Sequence, residues 1–129
     1  MSAKTIRVGL LGFGVVGQGA WKHLERGAVG LKRLLGINVE LVKASVRDLT
    51  KERAVEVPPG KLTTDCWEIV NDPEIDLVCE LMGGIDPALE LTLAAISQGK
   101  HVVTANKALI CEHGAEIFEA AEAARQEVS

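Results

Sequence analysis

The sequence GFGVVG, residues 12–17, spaces its glycines in a way that can hold phosphate groups. It follows a predicted strand and opens a predicted helix, the context in which G-x-G-x-x-G binds a dinucleotide. Gly12 permits a tight turn, Gly14 lets a pyrophosphate approach the backbone, and Gly17 lets the helix pack on the strand. A glycine-rich turn without a ligand is the alternative. We predict a dinucleotide site that includes Gly12, Phe13, Gly14, Val15, Val16 and Gly17.

The end of the second predicted strand bears on which dinucleotide is bound. An acidic residue there would bind the two ribose hydroxyls of NAD, whereas this sequence offers Arg47 first and Asp48 next. Arg47, helped by Lys51 or Lys61, could pair with the 2′-phosphate of NADP. Asp48 could instead bind a 2′-hydroxyl or cap the following turn. We expect NADP to be preferred, with NAD as the alternative.

Two later segments should reach the same ligand, because ligands of doubly wound sheets bind outside the carboxyl ends of the strands. The first is ELMGG, residues 80–84, whose glycines permit close approach or simply form a turn. The second is TANK, residues 104–107, where the position of Lys107 directly after a strand makes it more than a solvated surface lysine. The predicted cofactor contacts from these segments are Met82, Gly83, Gly84, Thr104, Asn106 and Lys107.

Length, charge and hydropathy exclude several classes of function. A chain of 129 residues suits one domain, residues 1–129. The formal net charge of −4 argues against a nucleic-acid surface, which would be basic. No apolar run approaches the roughly 20 residues that span a bilayer, and the N-terminus lacks the apolar core of a signal peptide. We therefore expect a cytoplasmic protein with neither a nucleic-acid nor a membrane partner.

The cysteines and histidines show no metal-ligand spacing. Cys66, Cys79 and Cys111 lie far apart and form no C-x-x-C pair. Cys79 falls inside a predicted strand and is interpreted as a small core residue. A catalytic thiol at Cys66 or Cys111 is the less favoured alternative, since neither has a histidine-bearing motif beside it. No metal site is predicted.

Strand and helix patterns alternate along the chain. Strands are predicted at residues 6–11, 38–46, 62–64 (an edge), 75–81 and 101–104. Helices are predicted at residues 15–35 (broken at Gly27 and Gly30), 65–71 (with Asp65 and Glu68 as a capping pair), 86–98 (with Asp86 as N-cap) and 107–126 (weakened at Gly114). This order predicts an α/β fold of the Rossmann type, a doubly wound, mostly parallel sheet with helices on both faces.

Four stretches of the sequence resemble the nucleotide-binding domain of homoserine dehydrogenase. They are VGLLGFGVVGQG, VKASVRDLTKER, LVCELMGGIDPA and GKHVVTANKALICEHGAEI, and together they span nearly the whole chain. The glycine motif is shared by many dehydrogenases, but GKHVVTANKAL after MGG is more specific. The related glucose-fructose and inositol oxidoreductases continue their GKHV strand with Glu-Lys-Pro, where this sequence has Ala105-Asn106-Lys107.

The resemblance implies an oxidoreductase of amino-acid biosynthesis. The family interconverts L-homoserine and L-aspartate 4-semialdehyde with NAD(P), on the route to threonine and methionine. It also implies that Lys107 lies between nicotinamide and substrate, where its ammonium assists proton transfer. Residues 12–17 would hold the pyrophosphate, and Arg47 would contact the adenosine ribose or its phosphate.

The resemblance further implies that substrate-binding residues lie outside this chain. The family's second catalytic lysine, its aspartate and its monovalent-cation site correspond to sequence beyond residue 129. We therefore expect a domain of a longer protein that binds cofactor but is catalytically incomplete. It should be monomeric, although the full-length protein should be a homodimer. Alternatives are another amino-acid dehydrogenase, similar to aspartate dehydrogenase, and a non-catalytic module that senses NAD(P).

Overall fold

The computed structural model describes residues 4–50, 53, 55, 57–58, 60–83 and 86–128, with the backbone alone for Lys107 and residues 125–128. Strands and helices alternate in this part of the chain, as the sequence predicts. They are β1 (Lys4–Leu11), α1 (Val15–Leu35), β2 (Ile37–Ser45), β3 (Leu62–Thr63), α2 (Cys66–Val70), β4 (Leu77–Glu80), α3 (Ala88–Ser97), β5 (His101–Thr104) and α4 (Lys107–Val128). The predicted strand boundaries are correct to within two residues.

The strands form a parallel sheet in which the strand order reverses at β1. Its order is β3-β2-β1-β4-β5, and every neighbouring pair is parallel. The chain moves outward from β1 through β2 to the edge strand β3, then crosses to β4 and β5 on the other side. This confirms the doubly wound fold. The reversal leaves a crevice at the carboxyl ends of β1 and β4, where the connecting segments diverge.

Alternating side chains fill an apolar layer on each face of the sheet. On one face, Val8 and Leu10 of β1 belong to a buried cluster with Trp21 of α1. On the other face, Leu11 belongs to a second cluster with Ile69 of α2 and Leu91 of α3. Helix α4 packs against α3. Helices therefore cover both faces, and the apolar layers fix the strand ends that border the crevice.

Helix α1 is continuous, so the prediction that Gly27 and Gly30 break it is wrong. Both glycines lie on the exposed side of the helix, where a glycine costs only about 1 kcal/mol relative to alanine. That cost weakens a helix without ending it when neighbouring turns pack on the sheet, as buried Trp21 does. The helix ends at Gly36, whose φ of 68° lies in the left-handed region.

Helix α2 is capped by Asp65 but not by a reciprocal pair. The Asp65 carboxylate accepts a hydrogen bond from the Trp67 N–H at 3.0 Å, as predicted. The role predicted for Glu68 is wrong, because the Asp65 N–H donates to the Thr63 hydroxyl instead. Glu68 accepts hydrogen bonds from Lys43 and Thr63. The bond from Lys43, supported by Thr63, lowers the pKa of Glu68 and ties α2 to β2 and β3.

Helix α3 begins one residue later than predicted. Its first residue is Ala88, and the N-cap is Pro87 rather than Asp86. The Pro87 carbonyl accepts the Leu91 N–H at 3.0 Å, so the first helical hydrogen bond starts from the proline. No side chain caps this end. Leu91 of α3 is buried in the apolar layer of the sheet.

Helix α4 bends where the sequence indicates a weak point. His113 has a non-helical φ of −130°, directly before Gly114. The helix continues beyond this bend to Val128, two residues past the predicted end. The bend separates the first turns, which adjoin the carboxyl end of β5, from the remainder of α4.

The three cysteines lie in different environments. Cys79 packs against the α1-side layer, where burial raises the pKa of its thiol. Cys66 is half-buried and Cys111 is exposed. Among the residues that the structure describes, no group of His, Cys, Asp and Glu side chains could hold a metal ion. None of the described helices is long and apolar enough to cross a membrane.

Candidate functional site

A cleft of about 590 Å³ opens at the crevice beside the carboxyl ends of β1 and β4. Two other clefts are larger, at about 710 and 760 Å³. The volume of a cleft therefore does not identify the functional site. The chemical groups that line each cleft have to identify it. Several residues that were predicted to contact a cofactor line the cleft beside β1, namely Gly12, Phe13, Gly14, Val15, Arg47, Met82 and Gly83.

The surroundings of the three motif glycines differ. Gly12 has a φ of +101°, and a β-carbon there would lie 3.2 Å from the Leu81 carbonyl. A β-carbon on Gly17 would lie 2.3 Å from the Gly12 carbonyl oxygen, so helix and turn could not pack. Around Gly14, by contrast, no atom of the other described residues, its chain neighbours aside, lies within 4 Å of that position. The fold needs glycine at positions 12 and 17, whereas Gly14 leaves open space in the cleft.

The N-terminus of α1 borders this open space, and no described side chain neutralises the partial positive charge of this helix end. Gly14 is the N-cap, no side chain caps the first turn, and no acidic residue lies in that turn. Val15 and Val16 are 89% and 62% exposed. A helix N-terminus presents N–H groups and a partial positive charge, which together bind phosphates. The turn therefore fits a pyrophosphate.

Two residues that the sequence reasoning missed hold the glycine turn in place. Ser45, buried at the end of β2, accepts a hydrogen bond from the Gly12 N–H at 2.9 Å. Trp21 meets the Phe13 ring edge-on, with ring centroids 5.7 Å apart. Pairing of Leu10 with Ala44 in a parallel sheet would have placed Ser45 beside the turn, but this register is not visible in the sequence. The turn is thus fixed from both β2 and α1.

The wall of the cleft near β2 is basic. Arg47 and Arg53 both line it, and Arg53 donates a hydrogen bond to the Asp48 carbonyl oxygen. The Asp48 carboxylate accepts the Thr50 N–H and hydroxyl at 2.8 and 2.6 Å, which makes it the cap of the following turn. Asp48 also lines the cleft, together with the two arginines.

Lys61, one of the two helper lysines suggested by the sequence, does not join Arg47. Lys61 is not in the cleft lining, because its ammonium donates to the Leu41 carbonyl oxygen at 2.7 Å. The suggested role of Lys61 is therefore wrong. Arg53, instead of Lys61, lines the cleft together with Arg47. Lys51 lies outside the described residues.

The segments that follow β4 and β5 meet, as predicted. Met82 and Gly83 line the cleft, whereas Thr104 and Asn106 are not in its lining and donate hydrogen bonds to Glu80 and Met82, respectively. Gly84 lies outside the described residues. The backbone of Lys107 begins α4, and its side chain is likewise not described. The structure thus brings the two strand ends together and leaves the direction of the lysine ammonium as a prediction.

Comparison with known proteins connects this cleft with a family. Residues 12–129 match the sequence model of the NAD-binding domain of homoserine dehydrogenase. The chain belongs to the homoserine dehydrogenase family. It is 50% identical over 117 residues to homoserine dehydrogenase from Synechocystis sp.. It also matches the crystal structure of a homoserine dehydrogenase from Thiobacillus denitrificans with 49% identity and a TM-score of 0.85.

The chain corresponds to only part of these homoserine dehydrogenases. The matches cover 91% and 95% of this chain but 27% and 28% of the Synechocystis and Thiobacillus proteins. A hyperthermophilic archaeal homoserine dehydrogenase in complex with NADPH shares the fold, with a TM-score of 0.72 at 18% identity. Because the matched part of homoserine dehydrogenase is its NAD-binding domain, the ligand class of this fold is a nicotinamide dinucleotide.

Proposed function

We propose that this chain is the cofactor-binding domain of a homoserine dehydrogenase that interconverts L-homoserine and L-aspartate 4-semialdehyde, with NADP preferred to NAD. The observation that carries the proposal is the open space at Gly14 beside the uncapped N-terminus of α1, in a member of this family. A ligand with a compact anionic centre can occupy the open space and accept hydrogen bonds from the N–H groups of the helix N-terminus. A dinucleotide has such a centre in its pyrophosphate.

The cofactor contacts divide along the cleft. The N-terminus of α1 binds the pyrophosphate, and Arg47 with Arg53 pairs with the 2′-phosphate at the β2 side. Met82 and Gly83, on the β4 side, border the nicotinamide half. When bound, the dinucleotide supplies or accepts the hydride. The chain's own part is to orient the nicotinamide ring and to keep the phosphates fixed.

Lys107 is the residue proposed to act on the substrate. Its backbone begins α4 immediately after Asn106, whose side chain donates to the Met82 carbonyl oxygen on the cleft wall. In the proposed mechanism the Lys107 ammonium binds the reacting oxygen and assists proton transfer as the hydride moves. Homoserine itself would be held by residues of the longer protein.

A calorimetric titration tests the ligand class directly. The purified chain should bind both NADPH and NADH, and each should raise its melting temperature because it binds the folded state alone. NADPH should bind more tightly. If neither dinucleotide gives heat or a thermal shift at millimolar concentration, the proposed function is wrong.

Replacing Arg47 with alanine should remove the preference for NADP. A charge-assisted hydrogen bond to phosphate is worth about 1.5–3 kcal/mol, so the Kd for NADPH should rise at least about tenfold. The Kd for NADH should stay unchanged, because NADH lacks the 2′-phosphate. Arg26→Ala, which removes an exposed arginine of α1 outside the cleft lining, is the matched control. Equal weakening of NADH and NADPH by Arg47→Ala would contradict the assignment.

The chain by itself should not oxidise homoserine. It spans 27% of the Synechocystis relative's length, and the residues proposed to bind homoserine belong to the remainder. An absorbance assay with homoserine and either cofactor should show no rate above background, although the same sample binds NADPH. A longer protein, expressed with the downstream gene sequence included, should show the rate. If that longer protein gives no homoserine-dependent reduction of either cofactor, a sensing module is favoured instead.

A further inference from the structure

Glu80 is a fully buried acid at the end of β4, beside the proposed cofactor cleft. A buried carboxyl group is costly unless hydrogen bonds satisfy its oxygens. No ion pair within the described part of the chain involves Glu80. Instead the Met82 N–H donates to its Oε1 at 2.9 Å, and the Thr104 hydroxyl donates to its Oε2 at 2.6 Å. One side chain therefore holds the segments that follow two neighbouring strands.

These contacts close a ring of four hydrogen bonds. The Asn106 side-chain amide donates to the Met82 carbonyl oxygen at 3.2 Å, and the Asn106 N–H donates to the Thr104 hydroxyl oxygen at 3.0 Å. Asn106 also caps α4, because its Oδ1 accepts the Leu109 N–H at 3.1 Å. The ring thus fixes Met82, on the cleft wall, relative to the first turn of the helix that begins at Lys107.

We propose that Glu80 is a positioning residue for the nicotinamide half of the cofactor site, acting through Thr104 and Asn106. The inference rests on the proposed function. A carboxylate offers acceptors only, so it fixes the direction of both the Met82 N–H and the Thr104 hydroxyl. The adenosine half is held by the segments after β1 and β2, none of which belongs to the ring. Breaking the ring should therefore weaken contact with one half of the cofactor alone.

The test compares two ligands in calorimetric titrations of the purified chain. NADPH occupies both halves of the site, whereas adenosine 2′,5′-bisphosphate carries only the adenosine half. Thr104→Val, which removes the hydroxyl from the ring, should raise the Kd for NADPH about tenfold, the loss expected for one strong hydrogen bond. Its Kd for the bisphosphate should be unchanged. Glu80→Gln, which keeps the shape but replaces one acceptor by a donor, should show the same selective loss.

Two control variants separate positioning from general stability. Thr104→Ser keeps the hydroxyl and should restore NADPH binding. Thr92→Val removes a buried hydroxyl that has no hydrogen-bond partner in the described part of the chain, and it should leave both affinities unchanged. If Thr104→Val weakens both ligands equally, or leaves NADPH binding unchanged, the positioning role is wrong. If the unmodified chain binds neither ligand, the proposed function itself fails.

Discussion

Replacing Gly17 with alanine should lower the free energy of unfolding by about 2 kcal/mol, which for a domain of this size lowers the melting temperature by roughly 8 °C. The added β-carbon would lie 2.3 Å from the Gly12 carbonyl oxygen and 3.0 Å from its carbon. Both are backbone atoms, so no side chain can rotate away to relieve the overlap. The turn and the start of α1 must separate instead. Thermal unfolding followed by circular dichroism measures the loss.

Gly19→Ala is the matched control for this substitution. Gly19 lies in the same helix, and no atom lies within 4 Å of its β-carbon position. Alanine there should raise the free energy of unfolding by up to about 1 kcal/mol, because it favours the helix. The two substitutions are chemically identical and should have opposite signs. A Gly17→Ala chain that melts at or above the temperature of the unmodified chain would refute the packing argument.

Gly14→Ala should produce the reverse pattern, with little loss of stability and a large loss of cofactor affinity. Its φ of −78° and ψ of −154° are extended, and the space around its β-carbon position is open. The fold should therefore accept alanine at a cost below about 1 kcal/mol for the weaker N-cap. In the proposed complex, however, that open space receives the pyrophosphate. The Kd for NADPH and for NADH should each rise at least about tenfold.

The affinity loss at Gly14 should affect both dinucleotides equally, because both carry the same pyrophosphate. This distinguishes it from Arg47→Ala, which should affect NADPH alone. Gly19→Ala again serves as the control and should leave both Kd values unchanged. If Gly14→Ala binds NADPH as tightly as the unmodified chain, the pyrophosphate does not lie against this turn.

The predictable parts of the fold are those that follow from local periodicity. Aliphatic runs located the strands, and the alternation of strands and helices gave a parallel, doubly wound sheet because helical crossovers permit few other arrangements. The glycine motif also located the cleft from local sequence. Gly12 and Gly17 are required by the packing of a strand against a helix that directly follows it in the chain. The helix break predicted at Gly27 failed because propensity is weaker than packing.

The parts that could not be predicted depend on pairs of residues far apart in the chain. Ser45 reaches Gly12 across the β1–β2 register, and Glu80 reaches Thr104 across β4 and β5. Neither pairing has a local sequence signature. Lys61 and Arg53 could not be ranked either, since the path of the intervening loop decides which cation borders the cleft. The side-chain partner of a polar residue is thus the step that required the structure.

The edge-on contact between Phe13 and Trp21 places a fluorescent indole against the glycine turn. Trp21 is 1% exposed and belongs to an apolar cluster, and its Nε1 has no hydrogen-bond partner among the described residues. Phe13 belongs to the glycine turn, and the two rings are in direct contact. Indole emission falls where reduced nicotinamide absorbs light. In the proposed complex Trp21 is therefore a built-in fluorophore about two helical turns from the pyrophosphate, and its quenching would report occupancy of the cleft without any attached label.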